Sequence, residues 1–258
     1  MENDKDQTEE LDEFEDEETT RDLVVPGEVL TEDTKNFLPG RGTILNNEGD
    51  KIISLNIGLK QIKKNYINVI PLRGFYTPRP GDKAIALVVD KNPVKYKCDI
   101  NAKDYAQLKP KNTVKRGRIR VGRGKDFEQE KLSTDKFDIG DILIVKILSA
   151  DRLNQPELTT IGKYLGKKSN GIVISIDPPK IPRVIGRNGS MIKMLKNLTN
   201  CNIFVTQNGR IWLKGEDLAH ERLVIESIYK IASEAHTVGL TDRMQEFIIK
   251  EKEKRGIE

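Results

Sequence analysis

The sequence predicts a multidomain, mainly β protein that ends in an α+β unit: a small N-terminal β domain, a small closed barrel, then β-α-α-β-β-α with a C-terminal helix. Three observations carry this. Short apolar runs of strand type, punctuated by Gly, Asn and Asp, fill residues 22 to about 160. Helical spacing is confined to the last third of the chain. Among 258 residues aromatics are few (5%) and charges many (33%), so each core must be small and each surface highly charged. No period of 20–50 residues recurs, which excludes a solenoid.

The first segment, residues 1–21, is acidic. Residues 1–22 hold 12 Asp/Glu against 2 Lys/Arg, leaving 42 basic and 28 acidic residues for 23–258. With few apolar residues to bury, the segment is expected to be disordered and solubilising; competition with a polyanion for the basic body is a second reading. It lacks the cationic and apolar regions of a signal peptide. No apolar run approaches the roughly 18 residues of a membrane helix. A basic body fits a nucleic acid or another polyanion.

Order is expected to begin near Asp22 with "DLVVPGEVL". Within 22–79, the candidate strands are Thr43–Leu45, 52–57 and 66–70, separated by turn residues such as Asn46-Asn47-Glu48-Gly49. Over 80–160, Gly81-Asp82 is a turn before a strand apolar on both faces, in which Ala84, Ala86 and Val88 alternate with Ile85, Leu87 and Val89. "KYKCDINAKDYAQL" supplies short strands or a turn, and "DIGDILIVKILSAD" repeats the Gly-Asp-strand pattern at 140–148. Several short strands with little helical spacing predict a barrel, whose closure removes exposed edges.

Between those strands runs "KPKNTVKRGRIRVGRGK", residues 109–125, with Lys115, Arg116, Arg118, Arg120 and Arg123 among eight cations and no acid. It reads either as a solvated basic loop or as an electrostatic funnel for a phosphate backbone, and the absence of acids favours the funnel.

The third unit begins near Gly166 and spans 166–240. "GIVISIDP" is a strand stopped by prolines, and "PRVIG" a short helix or turn. Met191, Met194, Leu195 and Leu198 form an amphipathic stripe, with Lys193 and Lys196 off it. "CNIFVTQNGRIWLKG" is a hairpin turned at Asn208-Gly209. Val224, Ile228, Ile231 and Ala235 mark a final helix, and 241–258 a helical extension. Between the first two helices stands Gly186-Arg187-Asn188-Gly189, flanked by Arg183 and Lys193. Glycines let backbone approach a ligand, and the following helix start favours anions. A GxxG loop in this strand and helix order is the backbone clamp of the KH module, which holds about four nucleotides. The four letters alone also suit a tight helix–helix turn.

Catalytic patterns are missing. "GRIRVGRG" imitates a phosphate loop but places Arg123 and Gly124 where Lys and Ser/Thr are required, and "GKYLGK" has one residue too few between its glycines. No GxSxG or HExxH occurs, and Asp141 and Asp151 read as turn or solvated residues. Cys98 and Cys201 stand too far apart for a CxxC pair, and with His220 and His236 they make no convincing zinc set. They read as buried small apolar residues in a reducing cytoplasm. Neither catalysis nor a cofactor is expected.

"VVPGEVL", the Gly-Asp barrel strands, "KKSNGIVISIDPPKIPRVIGRNGSM", "NGRIW" and "GLTDRMQEFI" together resemble the archaeal RNA exosome cap subunits that combine an N-terminal β domain, an S1 barrel and a KH domain. The resemblance covers residues 22 to about 250. It implies a non-catalytic subunit that binds single-stranded RNA and feeds it to a hexameric ring of RNase PH-like subunits, which degrades RNA phosphorolytically from the 3′ end. It also implies three copies per ring, or a mixture with the zinc-ribbon cap protein, whose CxxC pairs this chain lacks. The N-terminal domain would grip the ring while S1 and KH face RNA. "NGRIW" would pack KH against S1, with Trp212 in the interface. Many S1 barrels carry a Gly and an exposed aromatic before the third strand; here "PVKYKCDI" has no glycine, which leaves Tyr96 as the stacking candidate. Exchanging Gly186 and Gly189 for Asp is expected to weaken RNA binding without unfolding the chain. The competing reading is a structural assembly factor that stabilises the ring through a vestigial KH fold.

Overall fold

A computed structural model describes residues 22–119, 129–134, 136–151, 154–235 and 239–256, with 114–119 and 129–134 as backbone. The acidic segment 1–21, Arg120, Arg123 and His236 lie outside the described residues.

The N-terminal unit is two small sheets. Strands β1 (Leu23–Val24), β6 (Gly58–Lys63), β7 (Tyr66–Pro71) and β3 (Leu38–Pro39) form one, in that order. Strands β2 (Val29–Thr31), β5 (Ile52–Ser54) and β4 (Thr43–Leu45) form the other. Val24, Leu30, Ile52, Ile67 and Val69 fill the space between them. The expected strand 52–57 ends at Ser54, whose hydroxyl donates to the Asn56 carbonyl at 2.8 Å and closes a local turn. The chain then re-enters a sheet as β6, a strand hidden from alternation because its middle residues, Leu59 to Ile62, are all half-buried.

The barrel consists of β8 (Lys83–Lys91), β9 (Tyr96–Asp99), β10 (Ala106–Leu108), β13 (Ile142–Ser149) and β14 (Glu157–Thr159). Pairing runs β8-β9-β10-β14-β13 and returns to β8, with β10 and β14 parallel and the rest antiparallel. This is a closed five-stranded barrel of the OB type, with no open edge along its ring. Its interior holds Ala84, Ala86, Val88, Cys98, Leu143, Val145 and Leu158, and Tyr76 and Phe137 plug it. The basic stretch departs from a plain loop: after a 3-10 turn at Pro110–Thr113, β11 (Val114–Ile119) pairs antiparallel with β12 (Gln129–Thr134). Cationic residues masked its strand character because apolar alternation is absent there. Strand β15 (Gly166–Lys168), where the sequence places the start of the third unit, pairs with β13.

The C-terminal unit follows the expected order: β16 (Ile172–Ser175), α1 (Ile181–Ile185), α2 (Ser190–Thr199), β17 (Asn202–Val205), β18 (Arg210–Lys214) and α3 (Leu218–Ser233), then α4 (Leu240–Arg255). The antiparallel sheet has the order β16-β18-β17 and carries the helices on one face. The α2 stripe buries Met191 and Leu195, with Met194 and Leu198 packed against the same core. Leu240, Met244 and Ile248, at i, i+4 and i+8, seat α4 on that core too. No helix among the described residues is long and apolar enough to cross a membrane.

The other face of the KH sheet meets the barrel. Phe204 and Trp212 pack against Ile85 and Ile144, which point outward from the barrel wall. This explains why β8 is apolar on both faces: one lines the barrel and the other is covered by the neighbouring unit.

Candidate nucleic-acid interface

The GRNG segment begins where α1 ends. Gly186 has φ 76° and ψ 171°, a conformation essentially reserved for glycine, and its N–H donates to the Pro182 carbonyl at 2.9 Å. Asn188 (φ 49°, ψ 33°) and Gly189 (φ 71°, ψ 15°) are left-handed, so the chain turns sharply before α2. No side chain caps α2; the Ser190 N–H donates to the Arg187 carbonyl, and the positive end of the helix dipole faces the turn. Arg183, Arg187, Asn188 and Lys193 are exposed around the turn, while Gly189 is buried beneath it. From Pro178 to Lys214 the sequence holds seven Lys/Arg and no Asp or Glu. The arrangement presents positive charge, a helix N-terminus and close backbone approach, the requirements for gripping a sugar-phosphate chain.

A side chain at Gly186 would collide with neighbours: its Cβ would lie 2.7 Å from both the Cβ and the N of Met191. Gly186→Asp therefore strains the α1–α2 junction as well as the clamp, contrary to the expectation of a fold-neutral change. Substitutions at Arg183, Arg187 and Lys193 probe the clamp without that cost.

On the barrel, Tyr96 is half-buried and meets Phe137 edge to face, with centroids 5.5 Å apart and planes at 68°. Part of its ring is thus committed to the core. The residue before the next strand offers an aromatic that sequence reading passed over: Tyr105 is exposed, and Lys97 Nζ stands 4.3 Å from its ring centroid. The signal was present as Lys97 on β9 and Tyr105 just before β10, but only the β9–β10 register brings them together. Lys115, Arg116 and Arg118 fall on β11, and Arg120 and Arg123 lie beyond the described residues. The first cation of the stretch is neutralised: Lys109 donates to Glu157 at 3.0 Å, and Asn112 binds the same carboxylate at 2.9 Å. Those two donors hold the Glu157 carboxyl below its ordinary value.

Burial pushes the Cys98 thiol up to about 12, and Cys201 also rises through burial, so neither is a poised nucleophile. Among the described residues no group of three His, Cys, Asp or Glu could hold a metal ion.

The KH and barrel units are joined by a polar lock at the Asn208-Gly209 turn. Asn208 is fully buried; its Nδ2 donates to the carbonyls of Ile85 (2.9 Å) and Ile100 (2.8 Å), and its Oδ1 accepts from Thr206 Oγ1 (2.6 Å). Arg210 donates to the Asp99 carboxylate at 2.6 Å and to the Asp99 carbonyl at 2.7 Å. Asn101 donates to the Asn208 carbonyl at 2.7 Å. Trp212 is buried between the units, with its Nε1 donating to Asn170 O at 3.1 Å. "NGRIW" is an interface element, not a base platform.

Comparison with known proteins points the same way. Residues 171–219 match the family model described as a KH domain, and 21–73 match the "Exosome RNA binding protein RRP4 N-terminal domain". The chain is 42% identical over 234 residues to the exosome complex component Rrp4 of Thermococcus kodakarensis, covering 89% of this chain and 85% of that protein. It is 43% identical over 233 residues to Rrp4 of Methanothermus fervidus (89% and 96%) and 41% identical over 229 residues to Rrp4 of Saccharolobus solfataricus (88% and 88%). A crystal structure of a protein described as exosome complex RNA-binding superposes with a TM-score of 0.59 at 34% identity, covering 70% of this chain and 99% of that one. With identity near 40% spread over almost nine-tenths of its length, the chain belongs to the archaeal Rrp4 family of exosome complex components.

Proposed function

We infer that this chain is a non-catalytic RNA-binding cap subunit of a cytoplasmic exosome. The observation that carries the reading is the exposed GRNG clamp, set in an acid-free cationic stretch of an Rrp4-family chain. Phosphate contacts of this kind are blind to base sequence, so affinity should be electrostatic and tolerant of sequence. In this reading residues 166–240, through Arg183, Gly186, Arg187, Asn188, Gly189 and Lys193, hold the backbone of single-stranded RNA. Residues 80–160 add Tyr96, Tyr105 and the cations Lys115, Arg116, Arg118, Arg120 and Arg123. The strand passes to a hexameric ring of RNase PH-like subunits for 3′-to-5′ phosphorolysis, with three caps per ring or a mixture with the zinc-ribbon cap. Residues 22–79 dock on that ring.

Titration of labelled poly(A) at increasing salt tests the RNA assignment. Affinity should fall steeply with salt, and the triple variant Arg183→Ala, Arg187→Ala, Lys193→Ala should bind more weakly with a shallower dependence, by about 0.7 in log–log slope for each lost phosphate contact. A salt-independent affinity would sink the assignment. Retention of ring assembly with no RNA binding would favour the assembly-factor reading. Incubating the pure chain with RNA, Mg²⁺ and phosphate should release no nucleotide.

A further inference from the structure

The function above leaves the acidic N-terminal segment without a role. Residues 1–22 carry 12 of the 40 acidic residues of the chain, opposed by Lys5 and Arg21 alone. The KH unit has the reverse imbalance from Pro178 to Lys214, with seven cations and no acid, and exposes Arg183, Arg187 and Lys193 around the GRNG turn. Within that stretch Lys180 pairs with Asp177 and Arg210 with Asp99, which leaves the charge of the clamp face to the exposed residues around the turn. The clamp face is rich in cations, and the N-terminal segment holds carboxylates in excess.

Reach is sufficient. The segment joins the fold at β1, and 21 residues span on the order of 70 Å when extended. A compact body of this size has a radius of gyration of about 18 Å. Tethering gives such a segment an effective concentration in the millimolar range, so even a weak contact is substantially occupied. Resting on the assignment of this face to RNA, we propose that residues 1–21 act as an intrachain polyanion that occupies the GRNG face and is displaced by RNA. The segment then sets an affinity threshold: long strands, which also engage the barrel cations, displace it, while short fragments do not.

The test uses the full-length chain and a full-length variant in which the carboxylates of residues 2–18 become amides (Glu→Gln, Asp→Asn). The amide variant should bind poly(A) roughly three- to ten-fold more tightly at about 50 mM salt, and the gap should close at about 500 mM, where screening acts over a few ångströms. Carbodiimide, which joins carboxylates to lysines in direct contact, should link the segment of the unaltered chain to Lys193 and Lys196, and saturating poly(A) should abolish those links. Equal affinities for the two chains would overturn the proposal. An affinity gap with links scattered over lysines of all units would also overturn it, since repulsion of RNA without docking gives that pattern. Links to Lys193 with no RNA binding by either chain would support the contact and defeat the RNA assignment instead.

Discussion

Asn208 illustrates how much of this molecule rests on single side chains. It lies in a turn, yet its amide satisfies two barrel carbonyls more than 100 residues earlier in the chain. Asn208→Ala leaves the Ile85 and Ile100 carbonyls without these donors in a buried site, and a buried unpaired polar group costs about 1–3 kcal/mol. We expect Asn208→Ala to lower unfolding stability by about 2–4 kcal/mol, read by denaturant melts, with KH and barrel signals ceasing to melt together. Unchanged, coincident melts would mean that the apolar contact around Trp212 carries the joint alone. Gly186 makes the complementary point: its identity is dictated by φ and by the closeness of Met191, so the fold alone requires a glycine there.

At the scale of elements, the three-stranded sheet of the N-terminal unit is unusual in what it leaves uncovered. Val29, Ile53 and Ile44 are direct cross-strand partners, so they share one face; Val29 is 46% and Ile44 47% exposed. Cross-strand β-branched residues normally pack against something, and an exposed apolar row of this kind suits a protein partner. Under the proposed docking of residues 22–79 on the ring, this row is the contact surface. Val29→Glu with Ile44→Glu should abolish co-purification with ring subunits while poly(A) affinity of the isolated chain changes less than two-fold, because neither residue lies on the KH or barrel units. Ring association that survives the double change would move the contact to another surface. The β11–β12 hairpin shows the limit of periodicity: charged residues form a strand because a partner strand is available, and no local pattern announces it.

For the whole molecule, barrel and KH behave as one body because apolar contact and polar lock coincide at their joint. Its pH response follows from Asp99. Burial pushes the Asp99 carboxyl up, but the Asn101 N–H and the Arg210 guanidinium outweigh it and hold the group below its ordinary value. A depressed carboxylate stabilises the fold above its unfolded pKa, about 4, and that contribution is lost as pH falls through the lower folded value. Asp141, Asp217 and Glu157 shift the same way, while Asp82, raised mainly by burial, gains stability on acidification and offsets part of the loss. The melting temperature should stay level from about pH 8 to 5 and drop below about pH 4, with Asp99→Asn showing a shallower drop. A drop of equal size in Asp99→Asn would remove the joint from the acid response.

The sequence by itself determined the order of elements in the KH unit, the Asn-Gly hairpin, the β character of residues 22 to about 160 and the presence of a GxxG turn in a cationic stretch. Each depends on signals read within a few residues: the i, i+3, i+4 stripe of α2, a turn dipeptide, a proline stop. Only the tertiary structure decided that Ile85 and Ile144 cover Trp212, that Glu157 neutralises Lys109, that Asp99 meets Arg210, that Lys97 caps Tyr105, and that exposed Val29 and Ile44 flank half-buried Ile53 in one cross-strand row. Most of these pairs are joined by strand registers or interfaces spanning tens to more than a hundred residues. Such pairings are set by closure of the barrel and docking of sheets, and local propensity carries no record of them.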